Sequence, residues 1–576
     1  MFDIVLKNGT IVDGTGKDAY NADIGIKGDR IAFIGKIDRE ENSYDLEGLT
    51  VVPGFIDTHS HADGSVYLYP DCESYIRQGI TTFIGGNCGD TNAPIHNFWQ
   101  RKYWEYDMWD DMDPFIFDSV TTQPLDRAIA VIEKKTGVKI DWRTMGEYFD
   151  TVRRKGLACN MISMVGHSQI RAEVMGMEQK RTPTAKEMEQ MKGLISEAME
   201  AGCWGMSTGR DYPPSAYADV DEIVELISFI KKKYDGMYCT HWKRTGIRVG
   251  TPQKPNKMEG IIEAMEIGLK TGAKTEISHL ATGFDIYPDD PRMEKYSADV
   301  TMEVIDEYIN KGTDVAYDVI PGASGGIPIE PYLASYFIPW IKMSGSLAQF
   351  IKNLHARDYR EDFKDYLRSG KYYGINPRAN GAWDRQIFVT KSENTGLVGK
   401  SLYEISAERN MDSIDNLVKL LMDEPRIMVT RFVKSDVSVA ELIKHPRASI
   451  CTDTYAFDLK GIYGNDMEIP EILPHPHTYC AFPKYILKYG METFPKTIRK
   501  ITGAPAEFFG IKDRGTIEEG SFADIVVMNR DKLKTNENYV EPRVYPEGID
   551  YVFVNGKLAF GNNTFTRVRS GRILTK

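Results

Sequence analysis

The chain has 576 residues, 42% of them hydrophobic and 27% charged. That composition is globular and excludes a disordered or collagen-like chain, and the length suits about three or four ordinary domains or one large barrel with an attachment. The net charge of −12 leaves no basic footprint for nucleic acid or an anionic membrane surface.

The seven cysteines are widely spaced, odd in number and free of any CxxC pair. They predict no disulfide framework and a reducing compartment. Met1–Lys7 has no basic n-region and no long apolar h-region, and no run reaches the roughly 18 apolar residues of a membrane span. The expectation is a cytoplasmic protein.

The first 52 residues read as short strands and turns. Asp3–Lys7 and Thr10–Val12 flank an Asn8-Gly9 turn, Ala22–Lys27 and Arg30–Ile34 pair across Gly28-Asp29, and Leu49–Val52 precedes Pro53-Gly54. The last 65 or so look alike, with Asp524–Met528, Tyr551–Val554, Lys557–Phe560 and Arg572–Leu574 as strands. Two all-β ends predict one β-sandwich built from both termini.

The middle alternates strand and helix. Strands are expected at Ile80–Gly85, Leu157–Val165, Gly202–Met206, Met237–Thr240, Thr275–Ser278, Val315–Val319 and Arg447–Thr452. Helices are expected at Thr184–Ala201, Val220–Lys232, Met258–Leu269 and Ala298–Asn310. Repeated βα units predict a parallel sheet, here a (β/α)₈ TIM barrel of the α/β class. The expected boundaries are 1–52 and 511–576 for the two parts of the sandwich. The barrel takes 53–510, with an insertion near 92–125. Residues 97–118 carry eight aromatics and six acids in 22 residues and break the alternation. They read as a surface excursion packed on the barrel, or as a lid or subunit contact.

The chemistry gathers at predicted strand ends. In Phe55-Ile56-Asp57-Thr58-His59-Ser60-His61, positions i and i+2 face one point. A lone HxH is more often strand packing than a ligand pair. The next strand ends at Gly86-Asn87-Cys88-Gly89, later ones at Thr240-His241 and Ser278-His279, and the last at Cys451-Thr452-Asp453. Barrel enzymes carry their chemistry at such ends. Thiolate with imidazole suits zinc better than magnesium or calcium.

This order of HxH, Cys, His, His and Asp resembles the amidohydrolase superfamily, and within it the N-acyl-D-amino-acid deacylase (D-aminoacylase) family. The resemblance extends along nearly the whole chain. It includes Val52-Pro53-Gly54-Phe55-Ile56-Asp57, Gly205-Met206-Ser207-Thr208-Gly209 with Tyr212-Pro213-Pro214, Pro474-His475-Pro476, and Glu519-Gly520-Ser521-Phe522-Ala523-Asp524. It implies a zinc-dependent hydrolase of a C–N amide bond. By the same resemblance one zinc would be held tightly by Cys88, His241 and His279. A second, weaker metal would bind at or near His59 and His61, with Cys88 as the expected bridge and Asp453 as the general acid/base. Family members often assemble, so a homo-oligomer is expected, with a small amide as substrate.

His167, Arg171, Lys243, Arg244 and His475 are weaker candidates for meeting the substrate. For Arg171 and Lys243 surface charge is the better reading, and for His167 a structural role is equally good. D-aminoacylases carry a lysine two positions after the second late histidine, where this chain has Ala281, and a Tyr-Pro-Tyr segment where it has Val319-Ile320-Pro321 after Asp318. Two partners of an α-carboxylate are therefore missing, which predicts a substrate other than a simple N-acyl-D-amino acid, or one bound through Lys243 or Arg244. The alternative is a cyclic amide hydrolase of the hydantoinase, dihydropyrimidinase or dihydroorotase kind. Those relatives bridge two metals with a carboxylated lysine, and Gly202-Cys203-Trp204-Gly205-Met206 offers none. A scaffold that lost its chemistry would have lost ligands, and all six positions are present.

Overall fold

The computed structural model describes residues 1–38, 42–102, 105, 122–211, 213–244, 257–286, 290–326, 328–370, 372, 375–378, 380–460 and 468–576. Most of the aromatic-acidic stretch at 97–118, and Tyr212, lie outside that set.

Eight parallel strands form the barrel. They are β1 (Phe55–Asp57), β2 (Ile80–Gly85), β3 (Asn160–Ser163, continued by Val165–Gly166), β4 (Gly205–Gly209), β5 (Met237–His241), β6 (Thr275–Ile277), β7 (Val315–Val319) and β8 (Ala448–Ile450). Each pairs in parallel with the next. β3 bends at Met164, so that its first half pairs with β2 and its second with β4. Every residue of β2, β4, β5 and β7 is buried. Burial on both faces explains why these strands read as runs rather than as alternation.

Among the described residues no ladder joins β8 to β1. The seam is closed at their C-terminal ends instead. Asp57 accepts from Thr452 N (3.0 Å) and Thr452 Oγ1 (2.6 Å), Thr58 Oγ1 meets Ser449 Oγ (2.9 Å), and Asp453 N donates to His59 O (3.0 Å). The first and last site segments are thus bonded directly.

The outer helices begin where polar caps stand. Thr184 and Glu187 form a capping box on Ala185–Ala201, Asp219 caps Val220–Tyr234, and Asp290 with Pro291 opens Pro291–Asn310. Each cap is worth about 1 kcal/mol.

Both chain ends build one continuous nine-stranded sheet around its own apolar core, which includes Leu6, Ile24, Val51, Ile525 and Phe553. The halves meet where Thr50–Pro53 runs antiparallel to Ile525–Met528, with Val52 opposite Val526. The Asn8-Gly9 turn is corrected. Ile4–Ile11 is a single strand with a register shift between Leu6 and Gly9. Asn8 takes a left-handed φ of 61°, which makes a bulge rather than a hairpin. Arg572–Leu574 is corrected as well. It leaves the sheet and lies along the barrel, where Ile573 bridges Met161 and the Leu574 carbonyl accepts from Trp204 Nε1 (2.8 Å).

Between β7 and β8 the chain makes a second body that the sequence reading did not foresee. Among the described residues six helices, from Ile338–Ser344 to Ser413–Asp423, pack with the antiparallel pair Ile387–Lys391 and Met428–Arg431. Their core of Phe337, Phe350, Phe363, Leu402, Leu417 and Val429 is separate from the barrel core. All seven cysteines are buried and unpaired. No described helix is long and apolar enough to cross a membrane.

Candidate functional site

The strand ends of β1, β2, β5, β6 and β8 bring the expected six residues together. The β2 end turns sharply through Gly86, Cys88 and Gly89, with φ of 70°, 54° and 77°. A Cβ on Gly86 would lie 2.2 Å from Met164 O, and one on Gly89 would lie 2.8 Å from Gly209 N. Glycine at both places lets the turn sink into the barrel mouth. His279 (φ 37°) and Asp453 (φ 52°) are also left-handed. Such a conformation costs a non-glycine residue roughly 1–3 kcal/mol and gathers at functional sites.

Cys88 Sγ lies at the centre. It is 3.5 Å from His59 Nε2, 3.6 Å from His241 Nδ1 and 3.6 Å from His279 Nε2. Asp453 Oδ1 lies 3.4 Å from His59 Nε2 and 3.3 Å from His61 Nε2. The atoms of His59, Cys88 and His279 form one compact donor group, and those of His59, His61 and Asp453 form another.

These separations fit a metal. Zn–S near 2.3 Å and Zn–N near 2.05 Å at a tetrahedral angle put sulfur and nitrogen about 3.6 Å apart. His61 Nε2 and Asp453 Oδ1 are buried without a hydrogen-bond partner. Orphaned buried atoms aimed at a shared point are what a missing cation would leave.

The electrostatics agree. Burial pushes the Asp453 carboxyl up, but His279, His59 and His61 outweigh it and hold it well below the ordinary carboxylate range. Burial opposes the charge on His61, yet Asp453 raises its pKa. Burial drives His279 well below its ordinary value, into the neutral form that a ligand needs. Burial drives the Cys88 thiol well up, so a coordinated cation would have to deprotonate it.

A second layer of acids holds the rings of this cluster, and the sequence reading missed it. Asp318, at the end of β7, accepts from His279 N (2.6 Å) and lies 3.6 Å from His59 Nδ1. Beside it, burial and the Asp318 charge raise Glu276 well above its ordinary value. Asp211 Oδ2 is 3.4 Å from His241 Nε2 and its Oδ1 accepts from Arg244 N (3.0 Å). Strand-end position was the available signal for Asp318; Asp211, in the loop after β4, had none.

The weaker candidates divide. Arg244 reaches the cluster, with Nη2 3.0 Å from His241 Nε2. Lys243 is exposed. His475 is buried, with Nε2 2.8 Å from Ser324 Oγ, and Asp453 and Lys434 both act on it electrostatically. His167 and Arg171 are not brought into the Cys88 cluster. His167 binds Glu222 (2.9 Å) and Ser215 (2.8 Å), and Arg171 donates from Nη1 to Glu222 (2.6 Å) and from Nη2 to the carbonyls of Gln179 and Arg181. His167, Arg171, Ser215 and Glu222 are buried, and they form a separate ion-pair network.

A barrel whose strand ends hold imidazoles, a thiol and a carboxylate around one point has the frame of a metal-dependent hydrolase. The amidohydrolase family profile matches residues 43–241 and 424–560, more than half of the chain, and the protein belongs to that family. A D-aminoacylase of Alcaligenes xylosoxydans xylosoxydans is 26% identical over 583 residues, spanning 100% of this chain and 98% of its own. The N-acyl-D-glutamate deacylase of the same organism is also 26% identical, over 100% of this chain and 96% of its own. A D-aminoacylase structure, described for its binuclear metal centre with one-metal activation and second-metal attenuation, superposes with a TM-score of 0.67 at 25% identity and full coverage of both chains.

Proposed function

We propose that this protein is a zinc-dependent, D-aminoacylase-like hydrolase of the amide bond in a small N-acylated amine. The observation that carries the reading is Cys88 Sγ at 3.5–3.6 Å from three imidazole nitrogens, with Asp453 beside them. Cys88, His241 and His279 would hold the tight zinc. His59 and His61 would serve a weaker second site that shares Cys88. The D-aminoacylase with a binuclear centre, where one metal activates and a second attenuates, supports this division.

Zinc, when bound, supplies a water acidic enough to attack near neutral pH and polarises the scissile carbonyl. Asp453 does the proton work. Its low pKa keeps it a carboxylate able to take a proton from the attacking water and return it to the leaving nitrogen, which departs poorly unless protonated. Asp211 and Asp318 keep the ligand rings oriented. The substrate end differs from D-aminoacylases at Ala281 and Val319-Ile320-Pro321, so its recognition rests on other residues. A cyclic-amide reading is weakened because β4 carries no lysine to bridge two metals.

The test pairs metal content with turnover of N-acetyl-D-amino acids. About one zinc per chain is expected. Asp453→Ala should keep that zinc and lose about 10³-fold or more in kcat, the upper part of what proton transfer contributes. A zinc-free active enzyme, or full activity in Asp453→Ala, would sink the reading.

A further inference from the structure

Lys434 lies in the loop after Met428–Arg431, and no motif singled it out. Its ammonium nitrogen is buried and has no hydrogen-bond partner. Among the described residues it is the one lysine in that position. An unpaired buried charge costs several kcal/mol, so a protein keeps one where something arrives to pair with it.

The backbone holds Lys434 at the mouth. The amides of Val433 and Lys434 both donate to Ala323 O (2.9 Å each). Ala323 belongs to the segment that leaves β7 and passes over Asp453, where a Cβ on Gly326 would stand 2.5 Å from Asp453 Cβ. Ser324 in the same segment bonds His475 Nε2.

The charges acting on Lys434 are Arg244, Asp453 and Asp318. Neither acid is free to neutralise it. Asp453 faces His59 and His61, and Asp318 faces His279 N and His59. Arg244 is a second cation, held by Asp211 beside His241. Arg244 therefore touches the cradle and Lys434 stands within electrostatic reach of it, while the nearby acids serve the imidazoles.

We propose that Lys434, assisted by Arg244, binds a carboxylate carried by the amide substrate and so selects acylated amines with a negative charge near the scissile bond. The proposal rests on the hydrolase reading above. Burial lowers the pKa of Lys434 to about 8, which still leaves the ammonium charged at neutral pH. Either half of the substrate can supply the carboxylate, the amine half as in an N-acyl amino acid or the acyl half as in an N-succinyl amine.

The experiment uses the zinc-loaded full chain with Lys434, Lys434→Met and Lys434→Arg. Three substrates are compared, namely N-acetyl-D-methionine, its primary amide and an uncharged amine bearing an N-succinyl group. Lys434→Met should raise KM for one of the two carboxylates by about 10- to 100-fold, the worth of a hydrogen bond to a charged group. Turnover of the primary amide should stay within about threefold, and Lys434→Arg should recover most of the loss. The carboxylate affected shows which half carries the charge. Equal losses on all three substrates, or none on any, overturn the proposal. Calorimetric binding of N-acetyl-D-methionine and its amide to zinc-loaded Asp453→Asn separates the two readings. At least tenfold preference for the acid with Lys434, abolished in Lys434→Met, supports the proposal even if nothing is hydrolysed. No preference for the acid, or for N-succinyl amine over an N-acetyl one, overturns it even if the amides are cleaved.

Discussion

Cys88 is where conformation and chemistry meet. Burial pushes its thiol well above the ordinary range, so if zinc binds as proposed it must displace a proton. Cys88→Ser should weaken zinc at least about 100-fold in chelator competition, since a hydroxyl gives up its proton far less readily than a thiol. An unchanged affinity would mean that Cys88 is not a ligand. Asp318→Asn should cost about 10- to 100-fold in the same assay, as mutation of outer-layer partners does. Arg171 makes the opposite case. Its guanidinium pairs with buried Glu222, so Arg171→Met leaves that buried carboxylate with His167 alone and should cost about 3 kcal/mol in denaturant unfolding. Zinc content and KM should not move; a raised KM with unchanged stability would restore Arg171 to the substrate site.

At the level of elements, what could be read was what has a period or a fixed spacing. The parallel strands and their order were legible, because runs such as Ile80–Gly85 and Val315–Val319 are buried on both faces. The residues that gather around Cys88 could be picked out because each stands at a strand end. The helical body between β7 and β8 was not. Its helices carry ordinary amphipathic patterns, and such a pattern shows that a face is buried without saying against what. Nor was the bulge at Asn8-Gly9, because Asn-Gly suits a hairpin turn and a left-handed bulge alike. Lys434 had no signal at all, since a lone lysine in a loop is usually solvated. The β2 turn gives a test at this scale. Gly86→Ala forces a methyl against Met164 O at 2.2 Å with φ at 70°. It should cost about 2–4 kcal/mol in stability and lower zinc retention at the same time. Loss of stability with zinc fully retained would show that the turn does not position Cys88.

Among the described residues the molecule is four apolar clusters tied by polar seams. One such tie is buried Lys500, whose Nζ donates to His445 O (2.7 Å) and Ala448 O (3.2 Å) ahead of and inside β8. Burial lowers its pKa to about 8, against about 10.4 in an unfolded chain. Between those values the unfolded chain binds more protons than the folded one, so this residue makes stability rise with pH across that window. Lys500→Met should remove that slope from denaturant midpoints measured from pH 7.5 to 10. An identical slope in the variant would assign the effect elsewhere.

The meeting of Val52 with Val526 also sets a schedule for the making of the protein. The strand Thr50–Pro53 is buried along its whole length, and one of its neighbours is encoded 474 residues later. At about 5–20 residues per second of translation, that strand waits roughly half a minute to a minute and a half for its partner. Through that interval the nascent chain carries an open, apolar β-edge. The yield of this protein is therefore set as much by whatever shields that edge during synthesis as by the stability of the finished fold.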